Sequence, residues 1–130
     1  MNTPRLYRVI LPVSDIEAAA KFYGHVFGVD GERVSPGRHY FDCGGTILAC
    51  YDPAADGDPM GDGWTHHESQ YLYFAVSDLD GVRSRIEEAG GRNLTAIEEM
   101  PWGERIFYAV DPTGGRISFV DETTLFTGAD

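Results

Sequence analysis

The chain has 130 residues, of which 42% are hydrophobic and 12% aromatic, a composition that suits one folded domain with a real core and excludes a disordered chain. Its 21 acidic residues against 10 basic ones give a formal net charge of −11, which repels phosphate backbones and anionic lipid and so argues against nucleic-acid and membrane partners. No apolar run approaches the roughly 18 residues of a membrane span, and Met1-Asn2-Thr3-Pro4-Arg5 lacks a signal peptide's apolar core, so a cytoplasmic protein is expected.

Residues 6–13 read as a strand, with Tyr7, Val9, Leu11 and Val13 on one face and Leu6, Arg8, Ile10 and Pro12 on the other. Ser14 or Asp15 can cap a helix in which Ile16, Ala19, Ala20, Tyr23 and Phe27 recur every three or four residues, and Gly28 is a natural stop. Three short strands are expected around 31–34, 39–43 and 46–51, with turns at Ser35-Pro36-Gly37 and Gly44-Gly45. Cys43 and Cys50 flank the second turn; a cross-strand disulfide is one reading there, and reduced thiols in a cytoplasmic protein are the preferred one. Rich in Gly, Pro and Asp, the following stretch reads as a linker or a loop at a cleft mouth. The pattern then restarts with a strand over 71–76 and a helix striped by Leu79, Val82, Ile86 and Ala89 that ends at Gly90-Gly91. Strands are expected near 94–97, 105–110 and 116–120, before a polar tail.

This restart is a repeat. Val13-Ser14-Asp15-Ile16 recurs as Val76-Ser77-Asp78-Leu79 at an offset of 63, and Gly44-Gly45-Thr46-Ile47 recurs as Gly114-Gly115-Arg116-Ile117 at an offset of 70. Two ordered matches at the same kind of boundary indicate a duplicated unit of about 60 residues, which buries its apolar face against a second copy. The fold class is therefore α+β: a single domain over 1–130, with one βαβββ unit over 1–52, a linker over 53–69, a second βαβββ unit over 70–122 and a tail over 123–130. Two such halves facing each other enclose a cleft.

With Phe22-Tyr23, Phe27-Gly28 and Pro101-Trp102-Gly103-Glu104-Arg105 leading into Asp111-Pro112-Thr113-Gly114-Gly115, these motifs make the chain resemble the vicinal oxygen chelate superfamily over nearly its whole length. That superfamily includes glyoxalase I, extradiol dioxygenases and bleomycin resistance proteins. The resemblance implies two four-stranded sheets, U-shaped around a cavity that a homodimer often completes. In enzyme members it also implies a divalent metal held by His, Gln or Glu on the first and last strands of each unit. Carried onto this chain, those positions are Arg8, Leu48, Tyr71 and Ser118. Arg8 repels a divalent ion, Leu48 has no donor, and Tyr71 and Ser118 are poor ligands unless deprotonated, so no metal and no other cofactor is expected. The His66-His67 pair lies in the linker without a regularly spaced partner, and His25 lies on the first helix. Cys43, Cys50 and Ser118 have no motif that would make one of them a nucleophile.

What remains for the cleft is aromatic and polar. The candidate ligand-binding residues are Arg8, Ile10, His39, Trp64, Tyr71, Tyr73, Trp102 and Ser118, against the plainer reading that tyrosines fill the core and tryptophans anchor loops. The preferred function is a metal-independent, homodimeric small-molecule-binding protein similar to bleomycin resistance proteins, sequestering an aromatic or charged compound. A lyase, isomerase, epimerase or dioxygenase with an atypical or absent metal site is the alternative, with Arg8 and Tyr71 stabilising an enolate or orienting a carboxylate. A dimerising module without a ligand is the third reading. Arg8 buried in an apolar cleft would need a carboxylate, Asp42 or Glu104, or else an acidic group on the ligand. The first case suits a cationic ligand and the second an anionic aromatic one.

Overall fold

The helices begin where two aspartates stand. In the computed structural model, which describes residues 3–60, 64–67 and 69–126, Asp15 has an extended backbone and its Oδ1 accepts a hydrogen bond from the Ala18 N–H at 3.1 Å. Asp78 repeats the device, its Oδ1 accepting from Gly81 N at 3.0 Å. Each satisfies an N–H that a helix start leaves without an internal partner. The strand before each cap is β1 (Arg8–Pro12) or β5 (Tyr71–Val76), and the helix after it is α1 (Ile16–Phe27) or, following a short α2 (Pro53–Asp56), α3 (Leu79–Glu88). The first unit continues with β2 (Glu32–Ser35), β3 (Arg38–Cys43) and β4 (Thr46–Tyr51), and the second with β6 (Glu98–Glu99), β7 (Arg105–Val110) and β8 (Arg116–Asp121).

Each unit forms a four-stranded sheet, ordered β1-β4-β3-β2 and β5-β8-β7-β6. The helical crossover carries the chain to the far edge of the sheet and two hairpins bring it back, so β1 pairs with β4 and β5 with β8 in parallel, while the hairpins pair antiparallel. Among the described residues no strand pair joins the two sheets. β1 and β5 each keep one free edge.

One face of each sheet packs on the helices. Leu11, Val13, Phe41, Leu48 and Cys50 from the first sheet and Phe107, Ile117 and Phe119 from the second meet Phe22, Tyr23, Val26, Val82 and Ile86 in one core. Each fully buried large apolar side chain contributes on the order of 2 kcal/mol. Phe27 reaches across the units to Phe74 at 5.2 Å between ring centroids, and Phe74, Phe119 and Phe107 stack in a row at 5.1 and 5.6 Å. Polar contacts cross as well. Tyr23 Oη donates to Asp111 Oδ2, Arg85 Nε donates to Val26 O at 3.1 Å, and His25 lies 3.1 Å from Glu88.

Two local expectations change, and one open alternative closes. The strand near 94–97 gives way to the two-residue β6, because Asn93 adopts a left-handed φ of 55° and Thr95 Oγ1 takes the Tyr108 N–H at 2.9 Å. The segment read as a linker opens with α2, whose start Asp52 caps and whose first position Pro53 fills. A Cys43–Cys50 disulfide is excluded: Cys43 pairs with Thr46 and Cys50 with His39, four residues apart along β3, about 13 Å and beyond a disulfide's span. Among the described residues no helix is long and apolar enough to cross a membrane.

Candidate functional site

The faces turned away from the helices carry the candidate chemistry. On the first sheet the rows across β1, β4 and β3 are Arg8–Ile47–Asp42, Ile10–Ala49–Tyr40 and Pro12–Tyr51–Arg38. On the second, across β5, β8 and β7, they are Tyr71–Arg116–Val110, Tyr73–Ser118–Tyr108 and Ala75–Val120–Ile106.

The second sheet presents three tyrosines together. Ring centroids lie 5.5 Å apart for Tyr71 and Tyr108, 6.3 Å for Tyr73 and Tyr108, and 6.5 Å for Tyr71 and Tyr73. The Tyr73 and Tyr108 hydroxyls share a hydrogen bond at 3.4 Å. That bond first, then partial burial and the nearby phenols and Glu104, push the Tyr108 phenol up to about 12, so the patch carries no phenolate there at neutral pH. Tyr73 is 56% exposed and Tyr71 40%, although flat aromatic rings are costly to leave in water. Ser118 is the buried floor beneath Tyr73 and Tyr108, its Oγ donating to Phe107 O at 3.1 Å.

On the first sheet Arg8 is exposed rather than buried. Its guanidinium lies over the rings of Tyr7 at 4.8 Å and Tyr40 at 5.3 Å, and Nη2 donates to Tyr7 Oη at 3.1 Å. Neither expected carboxylate pairs with it. Asp42 Oδ1 accepts the Gly45 N–H at 2.8 Å, and Glu104 accepts from Trp102 Nε1 at 2.7 Å and Phe126 N at 2.9 Å. The expectation failed because it assumed a buried charge, and water already solvates this one.

A half-open cavity of about 910 Å³ runs along the free edge of β5, between the units, lined by Tyr71, Tyr73, Phe74, Phe27, Ile47 and Leu6 among others. A smaller one of about 100 Å³ lies where Ile10 and Pro12 meet His66, His67, Gln70 and Arg116. Of the predicted site residues, Tyr71, Tyr73 and Ser118 share one face, and Arg8 and Ile10 share another. His39 is turned to the helix side, where Nε2 donates to Asp30 O at 2.8 Å and Nδ1 accepts from Arg33 Nε at 3.2 Å. Trp64 stands edge-on to Tyr51 at 5.1 Å, its buried Nε1 without an acceptor among the described residues, and exposed Trp102 is held by Glu104. Sequence reasoning missed Tyr40 and Tyr108. Strict alternation along β3 and β7, with Arg38-Tyr40-Asp42 and Ile106-Tyr108-Val110, was the available signal.

The register also corrects the metal positions. Arg8 pairs with Ile47 and Ile10 with Ala49, so Leu48 lies on the helix side, 4% exposed. The positions facing Arg8 and Ile10 are Ile47 and Ala49, and neither has a donor. Ser118 is paired with Tyr73, and Arg116 is the partner of Tyr71. Two guanidinium groups, two hydrocarbon side chains, a phenol and a hydroxyl already donating to a carbonyl do not fit a divalent metal. Among the described residues no three His, Cys, Asp or Glu side chains stand close enough to hold one.

Paired βαβββ units, each with a helix-packed face and an open face, define the class of fold. The model of the Glyoxalase/Bleomycin resistance protein/Dioxygenase superfamily matches residues 5–119, and the chain belongs to that superfamily. A glyoxalase-related enzyme from Fulvimarina pelagi has a similar structure at 24% identity and a TM-score of 0.77, over 98% of this chain and 95% of that one. Lactoylglutathione lyase from Agrobacterium tumefaciens follows at 21% identity and 0.71, over 93% and 96%. A glyoxalase/bleomycin resistance protein/dioxygenase family enzyme from Burkholderia phytofirmans PsJN is 19% identical with a TM-score of 0.73, over 94% and 100%. At these identities the likeness is one of fold.

Proposed function

We propose that this protein binds a small aromatic compound without a metal, on the open sheet faces, as a homodimer. The observation that carries the reading is the Tyr71–Tyr73–Tyr108 cluster on the open face, with exposed Tyr71 at a position where the superfamily's enzymes would need a metal ligand. Stacking on such rings contributes about 0.5–1.5 kcal/mol per ring beyond area burial. The homodimer is supported by the free edges of β1 and β5, which a two-fold pairing would cover together. A dimer would also bring a first-sheet face beside a second-sheet face. A metal-free enzyme is the second reading, favoured by the presence of a lyase among proteins of like fold and by Arg8 as a group able to hold an enolate.

The test is calorimetric titration of protein dialysed against EDTA with 2-naphthamide, a flat uncharged probe. Binding should survive the chelator and weaken about tenfold in Tyr73→Ala, as the loss of one stacking ring implies. No binding, or binding only after a divalent metal is added back, would sink the reading. Light scattering should give twice the monomer mass at micromolar concentration.

A further inference from the structure

Building on the open faces as the binding surface, we infer that Arg8 is the acid-binding group of the site and that the compound it takes is an aromatic carboxylate. The chain has twice as many acidic as basic residues, 21 against 10. Arg33, Arg38, Arg83 and Arg105 each have a carboxylate within 4.0 Å. Arg5, Arg8, Arg85, Arg92 and Arg116 have none among the described residues, and of these five Arg8, in the outer row of an open face, is the one whose guanidinium lies over aromatic rings. Asp42, the acid in its own row, is committed to the Gly44-Gly45 turn through the Gly45 N–H.

Arg8 is also held in place. Two aromatic rings brace the guanidinium, and one of its five N–H donors goes to Tyr7 Oη. The remaining donors form the planar fork that suits a carboxylate's two oxygens. Beside it the surface is apolar and flat: Ile10 is 52% exposed, and Ile47, Ala49 and the Tyr40 ring lie in the adjoining positions. An aromatic acid would lay one side of its ring on Ile10 and Tyr40 while its carboxylate takes the fork, leaving the other side for the tyrosine face that the proposed dimer brings alongside. A point-charged anion without a ring would gain none of that apolar contact, and an organic cation would meet the Arg8 guanidinium, which, unlike Arg38 on the same face, has no carboxylate beside it.

The experiment uses three probes of one shape, 2-naphthoate, 2-naphthamide and 2-naphthylmethylamine, titrated calorimetrically into the full chain and into Arg8→Gln, Arg8→Lys and, as a control, Arg5→Gln. The acid should bind at least about tenfold more tightly than the amide, the difference of one well-placed charge-assisted pair. That ratio should fall to about one in Arg8→Gln, recover in part in Arg8→Lys and stay unchanged in Arg5→Gln. Arg8 is exposed, and an unchanged circular dichroism spectrum would show that Arg8→Gln folds. Equal affinity for acid and amide, preference for the amine, or an acid preference that survives Arg8→Gln would overturn the assignment while leaving aromatic binding in place. Failure of all three probes to bind would overturn the underlying function as well.

Discussion

Removing one oxygen atom from the core tests how the units are tied together. Asp111 is fully buried in the loop before β8, and its Oδ1 accepts from Thr113 N, Thr113 Oγ1 and Gly115 N, each at 2.8 Å. Its Oδ2 is served by the hydroxyl of Tyr23, itself fully buried on α1 of the other unit. Tyr23→Phe leaves the ring and its packing in place and strips that oxygen of its donor. A hydrogen bond to a charged group contributes about 1.5–3 kcal/mol, and the carboxylate oxygen left dry adds to the loss, so the expected cost is about 2.5 kcal/mol. With an unfolding entropy of about 2.1 cal/mol/K per residue, roughly 0.27 kcal/mol/K for this chain, Tm should fall by about 9 °C. Urea unfolding and calorimetry at matched protein concentration read both quantities, with the exposed Tyr71→Phe as a control expected to cost under about 0.5 kcal/mol. A double-mutant cycle with Asp111→Asn should return a coupling of about 1–3 kcal/mol. If Tyr23→Phe unfolds within about 0.5 kcal/mol of the parent, the claim that this pair fastens the two units is wrong.

Three further outcomes follow from buried or crowded groups. Burial, with Asp111 and Cys43 nearby, pushes the Cys50 thiol from 9.0 up to about 12; its folded value is raised, so its contribution is complete below about pH 9 and is lost as the pH climbs towards 12. Unfolding free energies measured from about pH 8 to 10 should fall with a Cys50 share of the slope approaching about 1.4 kcal/mol per pH unit; Cys50→Ala should remove that share and leave the smaller one of Cys43, whose thiol burial also raises. Burial, then the Asp111 carboxylate, push the Tyr23 phenol up as well, so its share of alkaline destabilisation begins above 10.0 and does not confuse the lower window. In a spectrophotometric phenol titration, Tyr73→Phe should return one group from about 12 towards 10.0, because the hydrogen bond with Tyr73 is the leading cause of the Tyr108 shift. Gly37→Ala should cost about 2 kcal/mol or more in denaturant unfolding, since a Cβ there would lie 2.2 Å from Asp52 O, a backbone atom with no room to move.

How far the sequence discloses this molecule differs from residue to residue. Asp15 and Asp78 announce their helices, because capping is a local bond between a side chain and the backbone two or three residues on. Alternation pairs Arg8 with Ile10 and Tyr71 with Tyr73 correctly, because strand parity is also local. His39 shows where that stops. Its face depends on how β3 lies against β4, and that pairing puts it with Cys50 on the helix side. Tyr40 and Tyr108 alternate with their neighbours locally, but which face they join is decided by the β3–β4 and β7–β8 pairings, which no short window contains. Tyr23 and Asp111 are 88 positions apart, and nothing in either neighbourhood names the other.

The metal question turns on one residue of register. Between β3 and β4 the turn is Gly44-Gly45 alone, since Cys43 pairs with Thr46; between β7 and β8 the loop is 111–115, since Val110 pairs with Arg116. Matching the two Gly-Gly pairs equates Ile47 with Ile117, whereas the sheets equate Ile47, partner of Arg8, with Arg116, partner of Tyr71. A slip of one residue in a strand moves every side chain to the other face, which is how Leu48 came to stand for a position it does not occupy. The poor fit of this position to a metal does not depend on the alignment. Ile47, Leu48 and Ala49 are all hydrocarbon, so a shift of one residue either way leaves that position of β4 without a donor. A site shared evenly by the two units, as the superfamily's metal chemistry requires, therefore has no counterpart on this half. What that half offers is a braced guanidinium beside an apolar floor, a surface suited to holding a flat acid.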